Sequence, residues 1–254
     1  MYHRFNRLSL ADRSSLRIER PATPTHIAGL CIVEAAPLLD EHGELDLATI
    51  KRRLEQRLGR VPALRHIVQA VPPLCGPPLW VDDPSFSLDR HVHGMRLDLP
   101  GDEAALLTTA ELLLRPLLDR THPLWELWFL TGLDGGRQIG VLFKVHHAVA
   151  DGLAAVALIM ALLDLEPDAP DPPAESWHPM PGPPVWALMR DNLTCRLAAV
   201  RKTLAHPVRL ARTIGSTLTN TLGFVRTQGT APRTSLNALP GAERRLRVVH
   251  LDLE

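Results

Sequence analysis

The chain has 254 residues, enough to bury a substantial core in one or two domains. Its 28 basic side chains cancel its 28 acidic ones, and five Trp, one Tyr and five Phe give little material for stacking on bases, which argues against a nucleic-acid partner. Three widely spaced cysteines, Cys31, Cys75 and Cys195, make neither a CxxC pair nor an even disulfide framework, and a reducing cytoplasm fits them best.

Residues 1–20 alternate charged with apolar side chains and do not read as a signal peptide. The longest uncharged apolar run, Leu153 to Leu163, has 11 residues where a membrane-spanning helix needs roughly 20, so any membrane contact is expected to be peripheral.

Residues 1–164 read as a mixed α/β unit. Ile27 to Glu34 has strand composition; Asp46 then caps a helix in which Leu47, Ile50, Leu54 and Leu58 recur at helical spacing, with Lys51, Arg52, Arg53, Glu55 and Arg57 on the solvated side. Five prolines between Val71 and Pro84 allow only loop or edge strand there. A leucine-rich helical stretch, Glu103 to Leu118, is expected to end near Pro116. Trp125 to Leu133 and Arg137 to Val145 then flank Asp134, Gly135 and Gly136, the composition of a tight β-hairpin. In its second strand Ile139, Val141, Phe143 and Val145 share one face, while Gln138, Gly140, Leu142 and Lys144 share the other.

Beyond this unit the composition changes. Eight of the 20 residues from Leu165 to Pro184 are proline, which reads as a linker or surface excursion. Residues 185–228 are basic, with Arg190, Arg196, Arg201, Lys202, Arg209, Arg212 and Arg226 against the single acid Asp191. Helices lying on a negative surface and a helical hairpin with its basic face in water fit this stretch equally well.

The hairpin delivers its second strand to His146 and His147. If the strand continues through both, their imidazoles point to opposite faces, so one can face a cleft while the other builds its wall. The same alternation makes it hard for the pair to chelate one metal ion, and no further ligands cluster nearby. Asp151, just before Gly152 and an apolar run, is placed to cap a helix that is apolar on every side and therefore expected to be buried. Singly, each histidine reads as a satisfied, hydrogen-bonded residue. The two together at a strand-to-helix turn held by an acid fit a catalytic base, able to take a proton from a hydroxyl as it attacks an activated acyl group. There is no G-x-S-x-G elbow, and the cysteines lie outside the motif.

The stretch HHAVADG, His146 to Gly152, resembles the HHxxxDG motif of CoA-dependent acyltransferases of the chloramphenicol-acetyltransferase-like fold, which includes the condensation domains of peptide synthetases. Three further blocks narrow the likeness: residues 7–34, the Pro123-Leu124-Trp125 segment, and Leu236-Asn237 followed by Arg244 and Arg245. Taken in this order, they resemble the bacterial wax ester synthase/diacylglycerol acyltransferase family. That resemblance implies an α/β, mixed-sheet sandwich forming the N-terminal half of a two-domain pseudo-dimer, with residues 229–254 leading into the second half. It implies His147 as general base, His146 in support, Asp151 orienting the loop and Gly152 permitting close helix approach. Pro123, Leu124 and Trp125 would pack near an acyl channel, core packing being the plainer role for Trp125.

The implied reaction moves a long-chain acyl group from acyl-CoA to the hydroxyl of diacylglycerol or a long-chain alcohol, with acyl-CoA as substrate and no metal or other cofactor. The implied partners are a complementary C-terminal half, on the same or a separate polypeptide, and an anionic membrane or lipid-droplet surface, which would place the protein in the cytoplasm at the inner membrane face or on droplets. Two other readings compete: a condensation-type domain working on carrier-bound acyl groups, and a non-catalytic lipid-binding module.

Overall fold

The computed structural model describes residues 5–163, 177–205 and 245–248. They fall into two compact units, the larger containing residues 8–69, 80–182 and 245–248, the smaller containing residues 5–7, 70–79 and 183–205.

The larger unit opens with α1 (Leu10–Ile18), started by a reciprocal capping box in which Asp12 N–H donates to Ser9 Oγ at 3.1 Å and Ser9 N–H donates to Asp12 Oδ2 at 2.8 Å. Strand β1 (His26–Glu34) follows, then α2 (Leu47–Arg57), capped by Asp46 as its sequence predicts. The proline-rich stretch contributes one short strand, β3 (Leu79–Asp82), paired with β2 (His66–Gln69) in a two-stranded ladder. Next come β4 (Val92–Arg96), α3 (Glu103–Leu114), the hairpin β5 (Trp125–Leu133) and β6 (Gln138–His146), and α4 (Gly152–Leu162).

The main sheet is mixed, in the order β1-β6-β5-β4, with β4 parallel to β5 and the other pairs antiparallel. The hairpin turn is the expected one, and its Gly135 and Gly136 take positive φ of 66° and 89°. One face of the sheet packs Trp125, Leu127, Phe129, Ile139, Val141, Phe143 and Val145 against α2 and α4. The other packs Leu130 and Leu133 against Leu106 of α3. Residues 139–146 of β6 are therefore all buried.

Lys144 lies on that second face with its side chain fully buried. Its Nζ donates to the carbonyls of Leu113 at 3.1 Å and Pro116 at 2.8 Å, where α3 ends and no helical N–H is left to serve them, and it stands 3.5 Å from Glu126 Oε2. Burial pushes its pKa below the usual lysine value, with Glu126 pulling partly the other way. The helix stops at Leu114, next to the Pro116 expected to end it, and the amine serves the Leu113 carbonyl left open there.

One expectation needs correction. Helix α4 is apolar all round but not buried all round: Ala155 and Leu162 are covered, while Leu153 is 87% exposed. A single helix laid on a sheet covers only its inner stripe, and apolar composition by itself does not supply a second surface. Residues 177–182, the described end of the proline-rich stretch, belong to the larger unit and run along its surface as an excursion. Trp177 sits under the Arg65 guanidinium at 4.7 Å and edge-on to Phe86, and Met180 N–H donates to Asp82 Oδ2 at 2.8 Å. Residues 164–176 lie outside the described residues.

In the smaller unit α5 (Val185–Ala205) accounts for the start of the basic stretch. Its lone acid, Asp191, accepts from Nε and Nη2 of Arg7 at 3.2 and 2.9 Å, both side chains being largely buried, and Asn192 donates to Leu74 O at 2.6 Å. Arg190, Arg196, Arg201 and Lys202 are exposed alongside Trp186, Leu193, Leu197 and Val200. Arg209, Arg212, Arg226 and the block from Leu236 to Arg244 lie outside the described residues.

Candidate active site

Strand β6 ends at His146, and His147 opens a turn that leads through Asp151 into α4. Three backbone hydrogen bonds fix this corner: His146 N–H donates to Leu124 O at 2.9 Å, His147 N–H to Thr25 O at 2.9 Å, and Val149 N–H to His146 O at 2.9 Å. The Pro123-Leu124-Trp125 segment and the residue before β1 thus grip the two histidines from either side.

The imidazoles have different environments. His146 is fully buried: its Nδ1 accepts from Ala148 N–H at 2.9 Å, and its Nε2 stands 3.0 Å from Thr25 Oγ1 and 3.4 Å from Glu19 Oε1. A ring nitrogen that accepts cannot carry a proton, so the proton sits on Nε2 and points at Thr25 and Glu19. Burial is the main force that pushes the His146 pKa below the ordinary histidine value; Glu19 opposes it. A second ring proton would also meet the Ala148 N–H head-on. His147, by contrast, is exposed.

Glu19 completes the arrangement. Burial raises its pKa, but the Arg120 hydrogen bond, Thr25 N–H at 3.1 Å and the nearby charges outweigh burial and hold the carboxyl below its usual range. Arg120 Nη2 donates to Glu19 Oε2 at 2.9 Å and to Leu16 O at 2.6 Å, which also satisfies a carbonyl in the last turn of α1. Sequence reasoning did not single out Glu19, Thr25 or Arg120. Glu19 and Thr25 lie in the block of residues 7–34, and Arg120 lies three residues before Pro123, so proximity to the matched blocks was the available signal.

Asp151 is exposed and caps α4, its Oδ1 accepting from Ala154 N–H at 2.9 Å. Gly152 does not serve a close approach, because a Cβ there would meet nothing within 4 Å among the described residues. Trp125 is a core residue, 1% exposed, whose Nε1–H donates to Leu64 O at 2.7 Å and whose ring stacks on His91 at 4.7 Å. Pro123 and Leu124 are buried beside it.

The family described as the wax ester synthase/diacylglycerol acyltransferase catalytic domain matches residues 8–254, nearly the whole sequence. The chain belongs to that family. A Mycobacterium tuberculosis protein named "Probable diacyglycerol O-acyltransferase tgs3" is 32% identical over 265 residues, covering 98% of this chain and 93% of that protein. Another from the same organism, "Probable diacyglycerol O-acyltransferase tgs1", is 36% identical over 160 residues, covering 63% of this chain and 33% of its own length. Among solved structures, the wax ester synthase/diacylglycerol acyltransferase from Marinobacter aquaeolei VT8 is 27% identical with a TM-score of 0.54, over 68% of this chain and 41% of that one. The chain thus spans nearly all of one relative and less than half of the others named. The mixed α/β architecture is of the chloramphenicol-acetyltransferase-like type, and the chain is an O-acyltransferase by family.

Two predictions follow from the histidine corner. Because the fold depresses the pKa of His146 from an unfolded value of about 6.5, the native state binds fewer protons than the unfolded chain, so its contribution is fully present above that value and is lost as pH falls below it. His66 and His91 are depressed by burial as well and act with the same sign. The thermal midpoint should therefore drop between about pH 7.5 and pH 5.5, above the window where carboxylates titrate near 4, and His146→Gln should flatten the slope. For Asp151, Asn keeps the capping acceptor while Ala removes it. Asp151→Asn should stay within about 0.5 kcal/mol of the parent in urea unfolding, whereas Asp151→Ala should cost about 1 kcal/mol.

Proposed function

We propose that this chain transfers a long-chain acyl group from acyl-CoA to the hydroxyl of diacylglycerol or a long-chain alcohol, with His147 as general base. The observation that carries the reading is the division of labour at the corner: a locked, neutral His146 beside an exposed His147 whose backbone is pinned. An unprotonated ring nitrogen of His147 takes the hydroxyl proton as the oxygen attacks the thioester carbon. The carbonyl re-forms, the C–S bond breaks, and the departing thiolate of CoA recovers the proton from the imidazolium. The step needs no metal and no redox group. Within this reading His146 positions, Asp151 holds the turn, and Pro123, Leu124 and Trp125 form the wall behind the pair.

Further acceptor and donor surfaces would come from a complementary C-terminal half, on the same or a separate polypeptide. Lengths in the family support both arrangements, since tgs3 is matched over 93% of its length and tgs1 over 33%. No helix among the described residues is long and apolar enough to cross a membrane. The exposed basic and apolar side chains of α5 support docking on an anionic bilayer or droplet surface at the cytoplasmic face.

The test is His147→Ala assayed with palmitoyl-CoA and either dioleoylglycerol or hexadecanol. Loss of a general base should lower turnover about a hundred to ten thousand fold with the thermal midpoint unchanged. His146→Ala should lower the midpoint as well, because it removes a buried ring from its partners. A His147→Ala protein that keeps parental turnover contradicts the assignment.

A further inference from the structure

A pocket of about 130 Å³ lies between the sheet and α4, lined by Gly29 and Cys31 of β1, Val141 and Phe143 of β6, and Ile159 and Leu162 of α4, among others. Apart from the Cys31 thiol these side chains are hydrocarbon. For scale, apolar protein cavities of about 150 Å³ stay dry and take up a benzene-sized guest. A polar headgroup would find too few hydrogen-bonding partners there to offset its lost hydration, whereas a hydrocarbon segment loses nothing on entry.

The register places this pocket at a distance from the histidines. Phe143 and Val141 precede His146 by three and five residues on the same strand, and at about 3.3 Å per residue that is roughly 10 to 17 Å. Along α4, Ile159 and Leu162 follow Gly152 by seven and ten residues, roughly 10 to 15 Å at about 1.5 Å per residue. The two rulers agree. A short acyl or alcohol group reacting at His147 would end before the pocket, and only a long chain would reach it.

Glycine in the middle of a strand weakens the strand and often marks a close approach of ligand or backbone. Gly29 fits that description: a Cβ there would stand 3.2 Å from Ile159 Cδ1, so any larger side chain competes for the space the pocket now holds.

We propose that this pocket takes the terminal hydrocarbon segment of a long-chain substrate bound at His147, and that Gly29 and Ile159 set how much chain it accommodates. The assignment rests on the acyl-transfer reading above. The shared chemistry is an unbranched hydrocarbon tail, supplied by the acyl donor or by the alcohol.

The experiment uses the full chain with cis-parinaric acid as a fluorescent long-chain probe, and Gly29→Val and Ile159→Phe as variants that narrow the pocket from its two sides. Removing room for even two methylenes should weaken probe binding by about tenfold or more. Rates are then compared for stearoyl-CoA against butyryl-CoA at fixed alcohol, and for hexadecanol against butanol at fixed donor. Loss confined to the long donor assigns the pocket to the acyl tail; loss confined to the long alcohol assigns it to the acceptor. If neither variant changes probe affinity, or if long and short substrates fall equally, the proposal is overturned. If the parent chain shows no acyl transfer yet probe binding still depends on Gly29 and Ile159, the pocket stands and the acyl-transfer reading falls.

A measurement on the unaltered chain guards against variants that fail to fold. Cys31 is exposed at this pocket. Bound probe should slow its alkylation by N-ethylmaleimide several-fold, read by mass spectrometry against Cys195. Equal alkylation with and without saturating probe overturns the proposal.

Discussion

The corner at the end of β6 depends on one buried contact, that of His146 with Glu19 and Thr25. A neutral imidazole with no solvent around it must have both ring nitrogens satisfied, and here one accepts from Ala148 while the other donates toward Thr25 and Glu19. Glu19 in turn is charged and buried, which is tolerable because Arg120 and the Thr25 N–H compensate it. Each group makes the next one affordable, so the turn after β6 has one low-energy arrangement. His147 gains its exposed position and fixed backbone from that arrangement.

The same end of the sheet shows why the surrounding core is built as it is. Lys144 is two residues before His146 and shares its face, and it serves the Leu113 carbonyl at the end of α3 and the Pro116 carbonyl just beyond it. Leu124, inside the Pro-Leu-Trp segment, lends its carbonyl to His146, while the neighbouring Trp125 ring fills the opposite face of the sheet. Packing on both faces therefore converges on the strand that carries the histidines. A residue such as Trp125 can matter to activity through this strand without touching a substrate.

Local signals made much of the fold legible. Asp46 and Asp151 announce helix starts because a capping carboxylate acts within three residues of itself, and the hairpin announces itself through Asp134-Gly135-Gly136. The HHxxxDG stretch with its flanking blocks identified the family. What the sequence hid was long-range. Glu19 and Arg120 are 101 residues apart, and nothing local to either says they meet. Asp191 looked like a stray acid in a basic helix until Arg7 was placed against it. The outward face of α4 was illegible for another reason: an apolar side chain carries no mark of which neighbour it lacks, so Leu153 reads as core although it is exposed. The pocket beside Gly29 is hidden likewise, since an absence of side chain acquires meaning only when α4 lies over it.

His146 serves as a neutral anchor with its proton on Nε2, and long-range ¹H–¹⁵N correlation spectra of the histidine rings read the position of that proton. His146 should show Nε2 protonated and Nδ1 bare, unchanged as pH is lowered from about 8 to below the ordinary histidine value of about 6.5, and altered in Glu19→Gln. A His146 ring protonated on Nδ1, or one that becomes an imidazolium at or above the ordinary value, would contradict it.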